Sequence, residues 1–269
     1  MAEALSVRAL MEFYLAAGVD ETIGEVPVDR YAPPPAIQAV PEPAPRPANE
    51  SRPVPAIVAV PALPPSGDAA VKSAVAAAAE AHSLADLRRA LESFDGCPLR
   101  KTATNLVFTD GNPEARVLLI GEAPGAEEDR LGLPFVGASG KLLDRMLASI
   151  GLDRTRVLIS NTVFWRPPGN RTPTTSETAV CMPFVERLVE LVEPALLIAL
   201  GGPAAKALLA QGAGISQLRG RWFGYSTSRL SHPIPATALF HPAYLLRSPA
   251  QKRLAWRDLR EIRRRLPEH

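Results

Sequence analysis

From about residue 104 onward, short apolar runs alternate with longer stretches whose apolar residues recur every three or four positions. The runs Arg116–Ile120, Val157–Ser160, Ala195–Leu200 and Pro235–Phe240 are too short for helices and predict buried strands. The stretches Ser139–Ile150, Ser176–Val192, Pro203–Gln211 and Pro249–Leu266 predict helices. In the last of these, Leu254, Trp256, Leu259 and Ile262 are the expected inward face, leaving most of the arginines to solvent. Strand and helix in alternation predict an α/β fold with a short, mostly parallel sheet covered on both faces. No internal repeat is visible.

Upstream, the pattern changes twice. Residues 68–94 form a helical lead-in. An Ala-rich run from Ala74 to Ala81 has high helix propensity, and Ser83 is placed to cap a second helix through Leu91. Before it, twelve prolines fall between Pro33 and Pro65, which predicts a semi-extended linker over residues 31–67 with no core of its own. Residues 1–30 place Leu5, Leu10, Met11, Tyr14 and Leu15 at helical spacing ahead of Gly18. That predicts a short amphipathic helix, docked on the domain or used as a handle for a partner. The remaining segment, 95–269, carries the chemistry.

Composition narrows the class. Among 269 residues, 46% are hydrophobic, ample for a core, yet no apolar run approaches the roughly 18 residues of a membrane span. The N-terminus lacks the basic start and apolar core of a secretory signal, so a cytoplasmic protein with no membrane attachment is expected. Two cysteines, Cys97 and Cys181, make no disulfide framework. Residues 1–94 carry 7 basic and 12 acidic side chains, whereas residues 95–269 carry 23 and 16. A basic domain behind an acidic leader suits a polyanionic partner, although a solvated surface would look the same.

The candidate chemistry lies where strands end. After Val117–Ile120 comes Gly121-Glu122-Ala123-Pro124-Gly125, then three acids, Glu127, Glu128 and Asp129, and further on Phe135. Acids stand where a phosphate cradle would carry Lys or Ser/Thr, so this is not a P-loop. Asn161 ends the second strand. Its amide offers one acceptor and two donors, matching the O4/N3 edge of uracil or thymine and mismatching cytosine; a strand-end turn residue is the alternative. The following loop, Arg166-Pro167-Pro168-Gly169-Asn170-Arg171-Thr172-Pro173, is stiff and basic, suited to gripping phosphate. His241 precedes Pro242 after the last strand, which holds it in an extended or turn conformation rather than on a helix face.

Together these motifs resemble family four uracil-DNA glycosylases. The resemblance rests on Gly121–Gly125 with Glu128-Asp129, on Gly132-x-Pro134-Phe135-Val136-Gly137-x-Ser139-Gly140, and on Asn161 with the Arg166–Pro173 loop. Glu177, Cys181, Leu218-Arg219-Gly220, His241–Arg247 and Trp256-x-Asp258 follow in order. It covers roughly residues 96–266. What it implies is a three-layer α/β/α sandwich that flips uracil out of single- or double-stranded DNA and hydrolyses its N-glycosidic bond, leaving an abasic site for base excision repair.

The same resemblance assigns provisional roles. Phe135 would stack on the flipped base, Asn161 would read its edge, and Gly121 and Ala123 would close the pocket. His241 would stabilise the departing anion, and Glu128, or second Glu122, would orient water. Arg166, Asn170, Arg171 and Arg247 would hold the DNA strand. Members of the family usually bind a [4Fe–4S] cluster through four cysteines. Here Cys97 and Cys181 match two ligand positions, while Phe94 and Trp165 occupy the other two. The expectation is therefore no cluster and no other cofactor, with apolar packing in its place and two relic thiols whose proximity and bonding the sequence leaves open. The alternative reading is a catalytically silent uracil- or DNA-binding module, or an accessory domain tethered to replication or repair machinery through its leader. Nothing in the sequence demands more than a monomer.

Overall fold

In the computed structural model, residues 67–266 are described; the amphipathic segment expected at 1–30 and the linker, apart from Gly67, lie outside them. The chain runs α1 (Gly67–Ala79), α2 (Leu84–Ser93), β1 (Asp110–Gly111), β2 (Val117–Gly121), α3 (Ala126–Leu131), α4 (Ala138–Ala148) and β3 (Leu158–Asn161). It continues through α5 (Thr175–Val192), β4 (Leu196–Leu200), α6 (Gly202–Leu209), α7 (Ile215–Leu218), β5 (Trp222–Tyr225), β6 (Ile234–Leu239), α8 (Pro242–Arg247) and α9 (Lys252–Arg265).

One six-stranded sheet has the order β1-β3-β2-β4-β6-β5. The inner strands β3, β2, β4 and β6 are parallel, and the short edges β1 and β5 are antiparallel. Both β2 and β4 are buried at every residue, because helices cover both faces. Successive side chains point to opposite faces, so the sheet divides its apolar residues between two cores. Leu118, Ile120, Leu197, Ala199, Ala236 and Ala238 join α1, α2, α5 and α6 on one side. Val117, Leu119, Ile198, Leu200 and Leu239 join α4, α8 and α9 on the other. The result is three layers, α/β/α.

The helical lead-in shares the first core. Ala70, Ala74 and Ala78 recur at four-residue spacing and are buried among the residues of α5, where small side chains allow close helix approach. Arg187 of α5 donates to Ala81 O at 2.9 and 2.7 Å, satisfying a carbonyl beyond the end of α1. Ser83 caps α2, accepting from Asp86 N at 3.1 Å.

Trp256 departs from the sequence expectation. It is 47% exposed, and the inward face of α9 is Ala255, Asp258, Leu259 and Ile262. Trp256 falls about 100° round the helix from Ala255, off that face. The strand order also reverses between β2 and β4: the chain leaves β2 toward β3 on one side and returns to β4 on the other. Parallel sheets bind ligands at the carboxyl ends of strands beside such a reversal.

Candidate functional site

A cleft of about 630 Å³ opens there, lined from the carboxyl ends of β2, β3, β4 and β6. Glu122, Phe135, Asn161, Gly201 and His241 all face it. Each reaches it for a local reason that the sequence supplies.

The loop after β2 is tied to the exit of β3. Thr162 N donates to Gly121 O at 2.9 Å, and Val163 N and the Thr162 hydroxyl donate to Glu122 O at 3.1 and 2.7 Å. Gly121 is required by close approach: a Cβ there would lie 2.5 Å from Asn161 Oδ1 and 2.6 Å from Phe135 Cζ. Asn161 is 1% exposed, and its Oδ1 has no hydrogen-bond partner among the described residues. A buried acceptor without a donor is costly, roughly 1–3 kcal/mol, and asks for one from a ligand.

The three acids of the loop separate into three tasks. Glu127 is exposed and pairs with Arg130. Asp129 is turned away, its Oδ1 accepting from Thr104 N and Asn105 N at 2.8 and 3.1 Å. Glu128 lines the cleft, 8% exposed, with Oε1 accepting from Val136 N at 3.0 Å and Gly137 N at 2.9 Å. Its other oxygen lies 2.7 Å from where a Cβ on Gly125 would sit, so glycine there leaves that oxygen room. Glu122 is half-buried; burial pushes its pKa up, and the Thr172 side chain opposes this through a hydrogen bond.

Phe135 is a non-glycine residue at φ 55°, in the left-handed region. A bulky side chain there costs roughly 1–3 kcal/mol and persists only where its surroundings fix it. The fixing groups are nearby. Arg154 donates to Pro134 O at 3.2 Å and to Phe135 O. Gly140 admits the Phe135 carbonyl oxygen to within 1.7 Å of its own missing Cβ. The Phe135 ring lies 5.5 Å from the His241 ring, tilted 31° from it.

His241 caps α8, its Nδ1 accepting from Ala243 N at 3.1 Å. That bond assigns the acceptor role to Nδ1 and leaves the proton on Nε2. Removal from water pushes the His241 pKa down to about 4; the Arg247 charge adds to the fall and the Glu128 charge opposes it. The imidazole is therefore neutral near pH 7 and still a donor. Gly201, at φ 95°, lets the β4 exit pass beneath, since a Cβ there would come within 3.0 Å of His241 Cβ.

The basic loop is braced rather than free. Arg171 forks onto Glu177 at 2.8 and 2.6 Å, and that contact holds the Glu177 pKa down at about 2. Glu177 also completes a capping box with Thr174 at the start of α5. Arg166 Nε donates to Asn170 Oδ1 at 2.7 Å. Asn170, Arg171 and, from α8, Arg247 line the cleft. The sequence marks this loop as stiff and basic, and the structure gives each of its arginines an intramolecular partner.

Cys97 and Cys181 are fully buried free thiols of one core, and each shifts the titration of the other. Phe94 packs edge-on against Phe184, with ring centres 5.1 Å apart, and Trp165 packs against Phe164. All four residues belong to the core beneath α1 and α5. No group of three or more His, Cys, Asp or Glu side chains suited to a metal occurs among the described residues. Two thiols and two packed rings do not fit a four-thiolate cluster.

Sequence reasoning missed Gly201, Gly202 and Arg154. The first two carried a signal, since Gly-Gly-Pro after the apolar run of β4 repeats the strand-end pattern of Gly121–Gly125. Arg154 carried none, as one arginine in a turn before β3.

The uracil DNA glycosylase superfamily model matches residues 108–260. A type-4 uracil-DNA glycosylase of Archaeoglobus fulgidus is 39% identical over 184 residues, 67% of this chain and 92% of that protein. One from Thermotoga maritima is 38% identical over 173 residues, covering 62% and 86%. One from Sulfurisphaera tokodaii is 34% identical over 186 residues, covering 67% and 84%.

Proposed function

The chain belongs to the uracil-DNA glycosylase superfamily and is a uracil-DNA glycosylase, and from that premise we propose how its cleft divides the work. The observation that carries the reading is the convergence of an orphan acceptor, an aromatic ring, a neutral imidazole and a buried carboxylate on one cleft.

Uracil leaves the base stack at a cost of a few kcal/mol, least where it is unpaired or mispaired. Stacking on Phe135 returns roughly 1–3 kcal/mol. Asn161 Oδ1 then accepts from uracil N3–H, and the amide N–H₂ donates to O4; the backbone of Gly121 and Ala123 closes the pocket around the ring. Cytosine offers no N3–H, so it would leave Oδ1 unpaired.

As the N-glycosidic bond breaks, its electron pair departs with the base and the sugar becomes oxocarbenium-like. His241 Nε2–H donates to the charge that develops on O2. Being neutral, it stabilises the uracil anion without handing over a proton. Glu128, held by two backbone N–H groups, orients a water with its second oxygen and offsets the positive sugar. The water oxygen bonds to C1′, and its proton passes through the carboxylate to the released base. Glu122, near Thr172 at the rim, is the second carboxylate. Arg247 and the braced loop carrying Arg166, Asn170 and Arg171 hold the phosphate backbone and flanking strand, a sequence-independent and salt-sensitive contact. All these groups come from one chain, consistent with action as a monomer on single- or double-stranded DNA.

The function is tested by the bases released from DNA. Wild type is expected to release free uracil, and not cytosine, from oligonucleotides carrying each. Asn161→Ala is expected to weaken uracil excision at least tenfold, since it removes the only edge-reading side chain in this scheme. Release of both bases at equal rates would refute it.

The enzyme is further proposed to work without an iron–sulfur cluster, the Phe94 and Trp165 rings filling the volume four thiolates would otherwise enclose. Metal analysis of active protein should find iron far below one atom per chain. Iron near four atoms per chain would overturn this.

A further inference from the structure

Arg154 lies in the turn between α4 and β3, and no step described above uses it. Yet its guanidinium is committed on every side. Nε donates to Asp144 Oδ1 at 2.9 Å, Nη1 to Asp110 and to Pro134 O, and Nη2 to Phe135 O. Asp144 belongs to α4 and Asp110 to β1, so two separate elements orient one cation, which then points its remaining donors at the carbonyls of residues 134 and 135. A planar five-donor fork is suited to this, and an ammonium is not.

The Phe135–Val136 peptide is thereby gripped at both ends. Arg154 binds its carbonyl oxygen and Glu128 Oε1 binds its N–H. Opposite charges at opposite ends of one peptide dipole fix its direction. That direction is what a left-handed Phe135 needs to bring its ring against Gly121 and beside His241. Gly140 contributes only space on the carbonyl side.

We propose that Arg154 is a positioning residue for uracil excision, clamping the Phe135–Val136 peptide so that the Phe135 ring covers the flipped base. This rests on Phe135 being the stacking surface. Arg154 touches neither base nor sugar in this account and acts through residue 135.

The test is a double-mutant cycle on single-turnover excision from a single-stranded uracil oligonucleotide, using wild type, Phe135→Ala, Arg154→Met and the double variant. Arg154→Met is expected to slow excision about tenfold in the wild-type background and less than twofold in the Phe135→Ala background. Its affinity for an oligonucleotide with a tetrahydrofuran abasic analogue, which has no base to stack, is expected to stay within twofold. Should Arg154→Met fold poorly, Arg154→Lys and Gly140→Ala replace it, the latter disturbing the same carbonyl without touching the charge. Equal losses in both backgrounds, a wild-type rate for Arg154→Met, or parallel loss of abasic-DNA affinity would overturn the proposal while leaving Phe135 its stacking role. A wild-type rate for Phe135→Ala would remove that role, and the clamp with it.

Discussion

Replacing His241 with alanine is expected to lower kcat for uracil excision about 10²–10³-fold, with DNA affinity nearly unchanged. The magnitude follows from where the donor acts. In the ground state uracil O2 is a neutral carbonyl, for which one hydrogen bond counts little. As the glycosidic bond breaks, negative charge accumulates on the base, and a fixed donor in a water-poor site interacts with it far more strongly. The imidazole suits this because Ala243 N–H occupies Nδ1 and fixes the proton on Nε2. Its pKa near 4 keeps it neutral well below pH 7.

The pH dependence follows with a definite sign. The folded-state pKa lies below the ordinary histidine value of about 6.5, so protonation should not limit kcat/KM between pH 6 and 8. Activity should fall only as pH drops toward about 4, where the proton displaces the Ala243 bond and charges the ring. The same shift makes the neutral imidazole a stabilising feature above about pH 6.5, lost as pH falls toward 4. A pH–rate profile with an inflection near 6.5 that vanishes in His241→Ala would contradict this.

Glu128→Gln is the second large effect, expected to slow single-turnover excision about 10²-fold, within the range for loss of a positioned acid–base group. The amide oxygen of glutamine can still accept from Val136 and Gly137, so the loop stays closed and Phe135 stays in place. What disappears is the negative charge beside the oxocarbenium-like sugar and the acceptor for the water proton. Glu122→Gln is the matched comparison and should lose less than about tenfold. The two carboxylates differ physically. Glu128 is fixed by two backbone donors, and its charge is felt at His241. Glu122 is half-buried and raised in pKa by burial, with the exposed Thr172 side chain opposing the rise. A larger loss for Glu122→Gln would exchange their roles.

Why the sequence revealed some of this and concealed the rest has a physical answer. The four parallel strands were legible because burial on both faces writes itself as continuous apolar runs. The edges β1 and β5 were not: one is two residues long, and the other is half-exposed and interrupted by Gly224. Helices α3, α7 and α8 are four to six residues long, too short to complete a periodic pattern. At the site, Gly121, Asn161 and His241 stood out as strand-end residues, because the termini of parallel strands converge whatever the loops do. The Arg171–Glu177 fork and the Arg154 clamp depend on distances across elements, which residue type does not encode. The strained φ of Phe135 was invisible for the same reason; a phenylalanine gives no local sign of a left-handed backbone.

The most direct test of the whole account joins the cleft's chemistry to the packed cluster position in one sample. Protein verified by metal analysis to be iron-free is incubated with an end-labelled single-stranded oligonucleotide bearing one uracil, then treated with alkali. The account predicts strand scission at the uracil position and none in the thymine control. Intact strands from iron-free wild type, under conditions where a control glycosylase cuts the same DNA, would contradict it.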